Sequence, residues 1–151
     1  MKRLLQTYLA LLLGASLAAL FAKFALQSKG DPSSEEIDLV SIYGGVHLVS
    51  EATPFYGGRS LTVFAGTLLD LRKAQPAPDG IHLDITVIMG GLSLIVPPGW
   101  RVRNDADVLA GGFEDLTQPS GEEDAPVLRL TGRVVFGGLQ VTTRSPVEAV
   151  A

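Results

Sequence analysis

An apolar run, a glycine pair and a second apolar run recur five times in this chain, as SIYGGVHLV, TVFAGTLLD, VIMGGLSLI, VLAGGFEDL and VVFGGLQVT. No other feature restricts the possible folds as tightly, because a unit that cannot bury its own apolar face must lie on copies of itself. Aligned on the second residue of each pair, the anchors are Gly45, Gly66, Gly91, Gly112 and Gly138. They are spaced 21, 25, 21 and 26 residues apart, so alternate anchors lie 46, 46 and 47 apart.

The columns of this alignment read as strands. Three places before the anchor stand Ile42, Val63, Ile88, Leu109 and Val135. One place after it come Val46, Thr67, Leu92, Phe113 and Leu139, and three places after it Leu48, Leu69, Leu94, Asp115 and Val141. These positions share one parity and are apolar in thirteen of fifteen cases, which assigns them to the inward face of a strand. The column two places after the anchor (His47, Leu68, Ser93, Glu114, Gln140) is mostly polar and is expected to face out.

One column resists this alternation. Two places before the anchor come Tyr43, Phe64, Met89, Ala110 and Phe136, bulky for the most part yet of outward parity. Two readings are open. A bend at the glycines rotates these side chains inward, or they form an outer stripe that packs on another surface. The bend is the expectation, with the glycine pairs as the pieces that let the strand turn.

Longer connections occur at Arg72 to Gly80 and Thr117 to Pro126, shorter ones around Pro54-Phe55-Tyr56-Gly57-Gly58 and Pro97-Pro98-Gly99-Trp100. All are rich in turn residues, and no stretch after residue 30 has a helical period. The expected fold is all-β: a single-chain β-solenoid or β-helix-like stack of about five glycine-pair coils, preceded by one N-terminal transmembrane helix. An antiparallel sandwich with hairpins at the glycines is the competing fold. The expected division is a membrane helix over 1–26, a linker over 27–39, the β domain over 40–144 and a tail over 145–151. Unpaired edges at the ends of such a stack make self-association an expectation, with the membrane helix shielding one end and Pro146 blunting the other.

The membrane helix is read from Leu4 to Ala22, 19 residues without a charge, about 28 Å of helix against a hydrocarbon core of about 30 Å. A cleaved signal peptide is the rival, since Lys2 and Arg3 form a basic start and Ser16-Leu17-Ala18 a small-x-small site. The slight charge bias around the segment leans toward the β domain lying outside the cytoplasm. Gln27 to Asp38, with Gly30, Pro32 and three serines, is a polar spacer.

Beyond residue 26 nine basic residues face all sixteen acidic ones, a net charge of −7. So acidic a domain repels a phosphate backbone, which argues against nucleic acid as a partner. Cysteine is absent, which removes thiolate chemistry. His47 and His82 have no carboxylates at metal-ligand spacing, and Ser60, Ser93 and Ser145 lack a nucleophile elbow. Asp105 and Asp107, following Arg101 and Arg103, read as a self-neutralised solvated loop rather than a calcium site, and Glu122-Glu123-Asp124 as a loop tip. No catalytic, cofactor or metal residue is therefore expected, and the chain is not read as an enzyme. The structural residues are the five anchor glycines. The candidate contact or coil-capping residues are Trp100, Tyr43, Phe64 and Phe136, with Trp100 expected to buttress a coil corner.

Several of these segments, in their order along the chain, resemble a known family. They are Leu61-Thr62-Val63-Phe64-Ala65-Gly66 with Leu69-Asp70-Leu71; Val87-Ile88-Met89-Gly90-Gly91 leading to Ile95-Val96-Pro97-Pro98-Gly99-Trp100-Arg101-Val102; Gly111-Gly112-Phe113-Glu114-Asp115; and Leu130-Thr131-Gly132 with Val135-Phe136-Gly137-Gly138-Leu139-Gln140-Val141. Over about residues 40 to 144 the chain is similar to the C-terminal domain of LiaF-type cell-envelope stress proteins, related to toastrack-like β-solenoids. The resemblance implies a non-enzymatic, membrane-associated domain that senses or regulates, in the better-known members by restraining a histidine-kinase system responsive to cell-wall-active antibiotics. This chain has one apolar span where those members have several, and Ala65 stands where the first glycine of its pair would be. The expected partners are the membrane, through the N-terminal helix, and a membrane sensor kinase or envelope protein. The alternative function is a binding module for cell-wall glycan or lipid, which predicts an exposed row of Tyr43, Phe64 and Phe136.

Overall fold

The computed structural model describes residues 31–144 together with Leu4, Gln6, Thr7 and Tyr8. Nine strands form one sheet: β1 (Glu36–Val49), β2 (Gly57–Asp70), β3 (Ile81–Ile88), β4 (Gly91–Ile95), β5 (Arg101–Asn104), β6 (Asp107–Leu109), β7 (Gly112–Leu116), β8 (Val127–Val135) and β9 (Gly138–Thr142). Every strand pairing is parallel, which rules out the antiparallel sandwich. A hairpin cannot join parallel neighbours, so each strand must be reached by a return loop.

The pairings define five two-armed coils. β1 and β2 each run through both arms. β3 with β4, β5 and β6 with β7, and β8 with β9 make up the other three. The anchor glycines stand in register from coil to coil, Gly45 opposite Gly66, Gly66 opposite Gly91, Gly91 opposite Gly138, and Gly138 opposite Gly112. The repeat alignment is therefore the true structural alignment.

The stacking order departs from chain order. The fifth coil lies between the third and the fourth, because β8 pairs with β3 on one side and with β5 and β6 on the other, and β9 pairs with both β4 and β7. The fourth coil is thus an end of the stack. Its composition suits that place. Asp115 occupies a column that is apolar in the other four coils, and its arms are broken into three short strands. Terminal repeats are atypical because one side meets water, and short charged strands discourage edge pairing. At the break, the Asn104 carboxamide accepts the Ala106 N–H at 3.1 Å.

The core lies between the two arms and the return loops. Along the first arm, alternate residues point inward: Ile37 and Leu39 in β1, Ile81, Leu83, Ile85 and Val87 in β3, Leu128, Leu130 and Val134 in β8. Along the second arm the inward set is Leu69, Leu92, Leu94, Leu139 and Val141. Phe55, Leu71, Ala74 and Trp100 close the third side, where the loops are laced together by bonds such as Phe55 N–H to Gln75 C=O at 2.8 Å and Ala77 N–H to Phe55 C=O at 3.1 Å. Each fully buried Leu or Ile contributes about 1.5–3 kcal/mol, so stacking, not the single coil, stabilises the fold.

One expectation changes here. The first strand starts at Glu36, inside the span read as linker, because Ile37 and Leu39 alternate with Glu36 and Asp38 and reach the core. Residues 31–35 then stack on the next loop, with Glu51 N–H bonding the Pro32 carbonyl at 2.6 Å and Tyr56 N–H the Glu35 carbonyl at 2.9 Å. The N-terminal membrane helix and the tail over 145–151 lie outside the described residues, apart from Leu4, Gln6, Thr7 and Tyr8, which are helical and exposed. Among the described residues no helix is long and apolar enough to cross a membrane.

Candidate interaction surface

The two arms of every coil meet at a corner made by one residue in the left-handed conformation: Tyr43, Phe64, Met89, Ala110 and Phe136, with φ of 50, 49, 50, 52 and 50°. The turn is therefore made by the residue before the glycine pair. Neighbouring coils hold it there. The Met89 N–H bonds the Val135 carbonyl at 2.9 Å and the Phe136 N–H the Leu109 carbonyl at 3.0 Å.

This conformation resets the alternation of side chains. Upstream of the corner the inward residues lie four places before the anchor, as Ser41, Thr62, Val87 and Val134 show, and downstream one and three places after it. The column three places before the anchor, assigned inward on the assumption of unbroken parity, faces outward instead. Ile88 and Leu109 are exposed, and Ile42, Val63 and Val135 are half-buried on the outer surface. The corner side chains are not turned inward either. Tyr43, Phe64, Met89 and Phe136 are 55%, 44%, 51% and 66% exposed.

Two apolar columns therefore run side by side along the corner of the stack, across about 19 Å at about 4.8 Å per coil. In stack order the corner column reads Tyr43, Phe64, Met89, Phe136, Ala110. The five residues around each corner, IYGGV, VFAGT, IMGGL, LAGGF and VFGGL, contain no Asp, Glu, Lys, Arg or His. In a domain of net charge −7 the charge is elsewhere. The uncharged zone is widest on the first three coils, whereas Asp107, Glu114 and Arg133 flank it on the last two.

The left-handed region costs an ordinary residue about 1–2 kcal/mol, and Gly or Asn would relieve it. Four of five corners nonetheless carry Tyr, Phe or Met. Strain retained under large apolar side chains points to what those side chains touch. The Tyr43 and Phe64 rings are stacked, with centroids 5.3 Å apart and planes 3° from parallel, so they present ring edges outward.

Beside this ridge the glycine column floors two shallow hollows. One, of about 480 Å³, is lined by Gly45, Gly66, His47, Leu68 and Ser93. The other, of about 360 Å³, is lined by Gly112, Gly138, Glu114 and Gln140.

The remaining sequence candidates lie apart from the ridge. Trp100 is buried in the third side of the core. His47 and His82 are exposed, His82 Nε2 lying 2.9 Å from Thr131 Oγ1. Asp105 is paired with Arg129 at 2.7 Å and Arg103 at 3.2 Å. Desolvation opposes its ionisation, but the two guanidiniums outweigh it and hold the carboxyl below the usual range. Among the described residues no group of three or more His, Asp or Glu side chains is placed to hold a metal. The sequence reading missed Met89, Ile88 and Leu109 as surface residues, although the corner column itself was visible.

No family model matches the chain, and no solved structure does. Among curated proteins, an uncharacterized protein of Mycobacterium tuberculosis is 27% identical over 89 residues, 58% of this chain and 44% of that protein. The chain thus spans less than half the length of that relative.

Proposed function

We propose that this is a membrane-anchored, non-enzymatic protein whose β domain, a solenoid of five coils resembling the LiaF C-terminal domain, regulates or scaffolds through surface contacts. The observation that carries the reading is the uncharged apolar corner. It runs the length of a rigid stack, at positions where large side chains work against backbone preference. The N-terminal segment supplies the anchor in this reading. Its 19 uncharged residues are long enough to cross a bilayer, and Leu4 and Tyr8 are helical and exposed. The domain acts outside the cytoplasm, on a membrane sensor kinase or envelope protein in the response to envelope stress.

Affinity isolation of the full chain from its own membranes, with identification of what accompanies it, tests the regulatory reading. The expected result is enrichment of a histidine kinase or envelope enzyme. Isolation without any enriched protein overturns it.

The exposed row of Tyr43, Phe64 and Phe136 also favours a second reading, a glycan-binding or lipid-binding module. For glycan, sugar stacking needs a ring face, and Tyr43 and Phe64 have turned theirs toward each other. Titration with soluble cell-wall glycan fragments, read by calorimetry, separates this reading from the first.

A further inference from the structure

We propose that the corner formed by Tyr43, Phe64, Met89 and Phe136, with Ile88 beside it, rests in the interfacial layer of the bilayer that holds the N-terminal segment. The inference rests on the anchored reading above and names what the ridge touches. Three observations select lipid as the occupant.

The first is the shape and chemistry of the ridge. It is a convex line of exposed Tyr, Phe, Met and Phe side chains with ring edges outward, and apolar tips on a convex edge enter the headgroup and acyl boundary as an amphipathic face does. Tyrosine at one end suits the polar side of that boundary.

The second is the distribution of charge. An acidic domain is repelled by anionic surfaces, yet all five corner segments are free of Asp, Glu, Lys, Arg and His, so this edge can approach a bilayer without bringing carboxylates into it.

The third is where the chain outside the described β domain joins it. The N-terminal segment enters at the first coil, the end of the stack where the uncharged zone is widest. Membrane association then fixes the orientation of the domain, and the polar outer surface of the second arm is left facing the aqueous side.

Because the chain has no cysteine, single cysteines carry an environment-sensitive fluorophore without a background. The full chain, reconstituted in phosphatidylcholine vesicles, is labelled in separate variants at Phe64→Cys, Met89→Cys, Phe136→Cys and Ile88→Cys. Gln118→Cys marks the loop side and Leu12→Cys the N-terminal segment. Circular dichroism checks that each variant keeps its β signal, and Ile88, which is not at the strained corner position, serves if a corner variant does not fold. Labels on the ridge are expected about 5–10 Å within the boundary, strongly quenched by brominated lipid and weakly by aqueous iodide, with Gln118→Cys showing the reverse. If the ridge labels are quenched by iodide as fully as Gln118→Cys while Leu12→Cys answers to brominated lipid, the docking is wrong and the anchor stands. If Leu12→Cys itself answers to iodide, the anchored reading fails and the docking with it. Ridge labels shielded from both quenchers and exchanging energy between molecules identify a second copy as the occupant and overturn the proposal.

Discussion

Gly90 lies directly against the backbone carbonyl of Ala65 on the neighbouring coil, so a methyl group at Gly90 has no room, whereas the nearest atom to a methyl at Gly91 is the Gly138 carbonyl oxygen, 3.9 Å away. The two glycines of one pair thus answer to different constraints. Gly90→Ala is expected to destabilise by about 1–3 kcal/mol through forced backbone displacement. Gly91→Ala, at a position without positive φ, is expected to be neutral or to stabilise by about 0.4–1 kcal/mol through the unfolded chain. Denaturant midpoints of the two variants test this, and equal losses would refute the distinction.

The strained corners yield an inverted expectation for truncation. Phe136→Gly removes a large side chain that is mostly exposed and at φ 50°, trading about 1–2 kcal/mol of left-handed strain against about 0.5–1 kcal/mol of glycine entropy. Stability should stay within about 1 kcal/mol of the parent, on the favourable side. The neighbouring Leu139→Ala, which empties a buried site, should lose about 2–5 kcal/mol. Thermal unfolding of both variants is the check.

Inside the corner of the second coil, Thr62 Oγ1 and Thr67 Oγ1 lie 2.7 Å apart and are buried. Replacing one by valine strands the other hydroxyl, at about 1–3 kcal/mol. The double variant Thr62→Val with Thr67→Val should recover much of that loss, and a strictly additive double-mutant cycle would show that the pair is not coupled.

Asp70 closes the second arm of the same coil and receives the Arg72 guanidinium, Nη2 at 2.8 Å and Nε at 3.0 Å, together with the Arg72 backbone N–H at 3.0 Å. Burial pushes its carboxyl up, but these bonds and the positive charge of Arg72 outweigh burial and leave it below the ordinary value. A carboxyl lowered by folding contributes stability that is present above its unfolded value, about 3.9, and is lost as pH falls through the folded value. Asp70→Asn should therefore be less stable than the parent at about pH 7, with the gap closing below about pH 4. A gap independent of pH in urea titrations would assign the effect to packing alone.

The aligned glycines, the two-residue alternation and the turn-rich connections were legible as a stack of β-coils, and the anchors proved to be in register from Gly45 to Gly112. Even the end coil had left a trace, in Ala110 and Asp115 where other coils are bulky or apolar. The surface was harder to read. Alternation specifies a face only while the backbone stays extended, and the φ of a single residue, Met89 for instance, exchanges the faces for everything beyond it. That φ is set by the bond from the Met89 N–H to the Val135 carbonyl on another coil, a contact 46 residues away in the chain and invisible to local propensity.

The sequence by itself determined that these segments are strands, that they stack through glycine-marked corners, and that the acidic charge avoids those corners. Only the tertiary structure decided that the fifth coil inserts between the third and fourth, and that Tyr43, Phe64, Met89 and Phe136 point to solvent. The reason is physical. Strand formation and burial period are properties of a few adjacent residues, whereas stacking order and corner conformation depend on which neighbour supplies the facing carbonyls and which coil can leave one side in water.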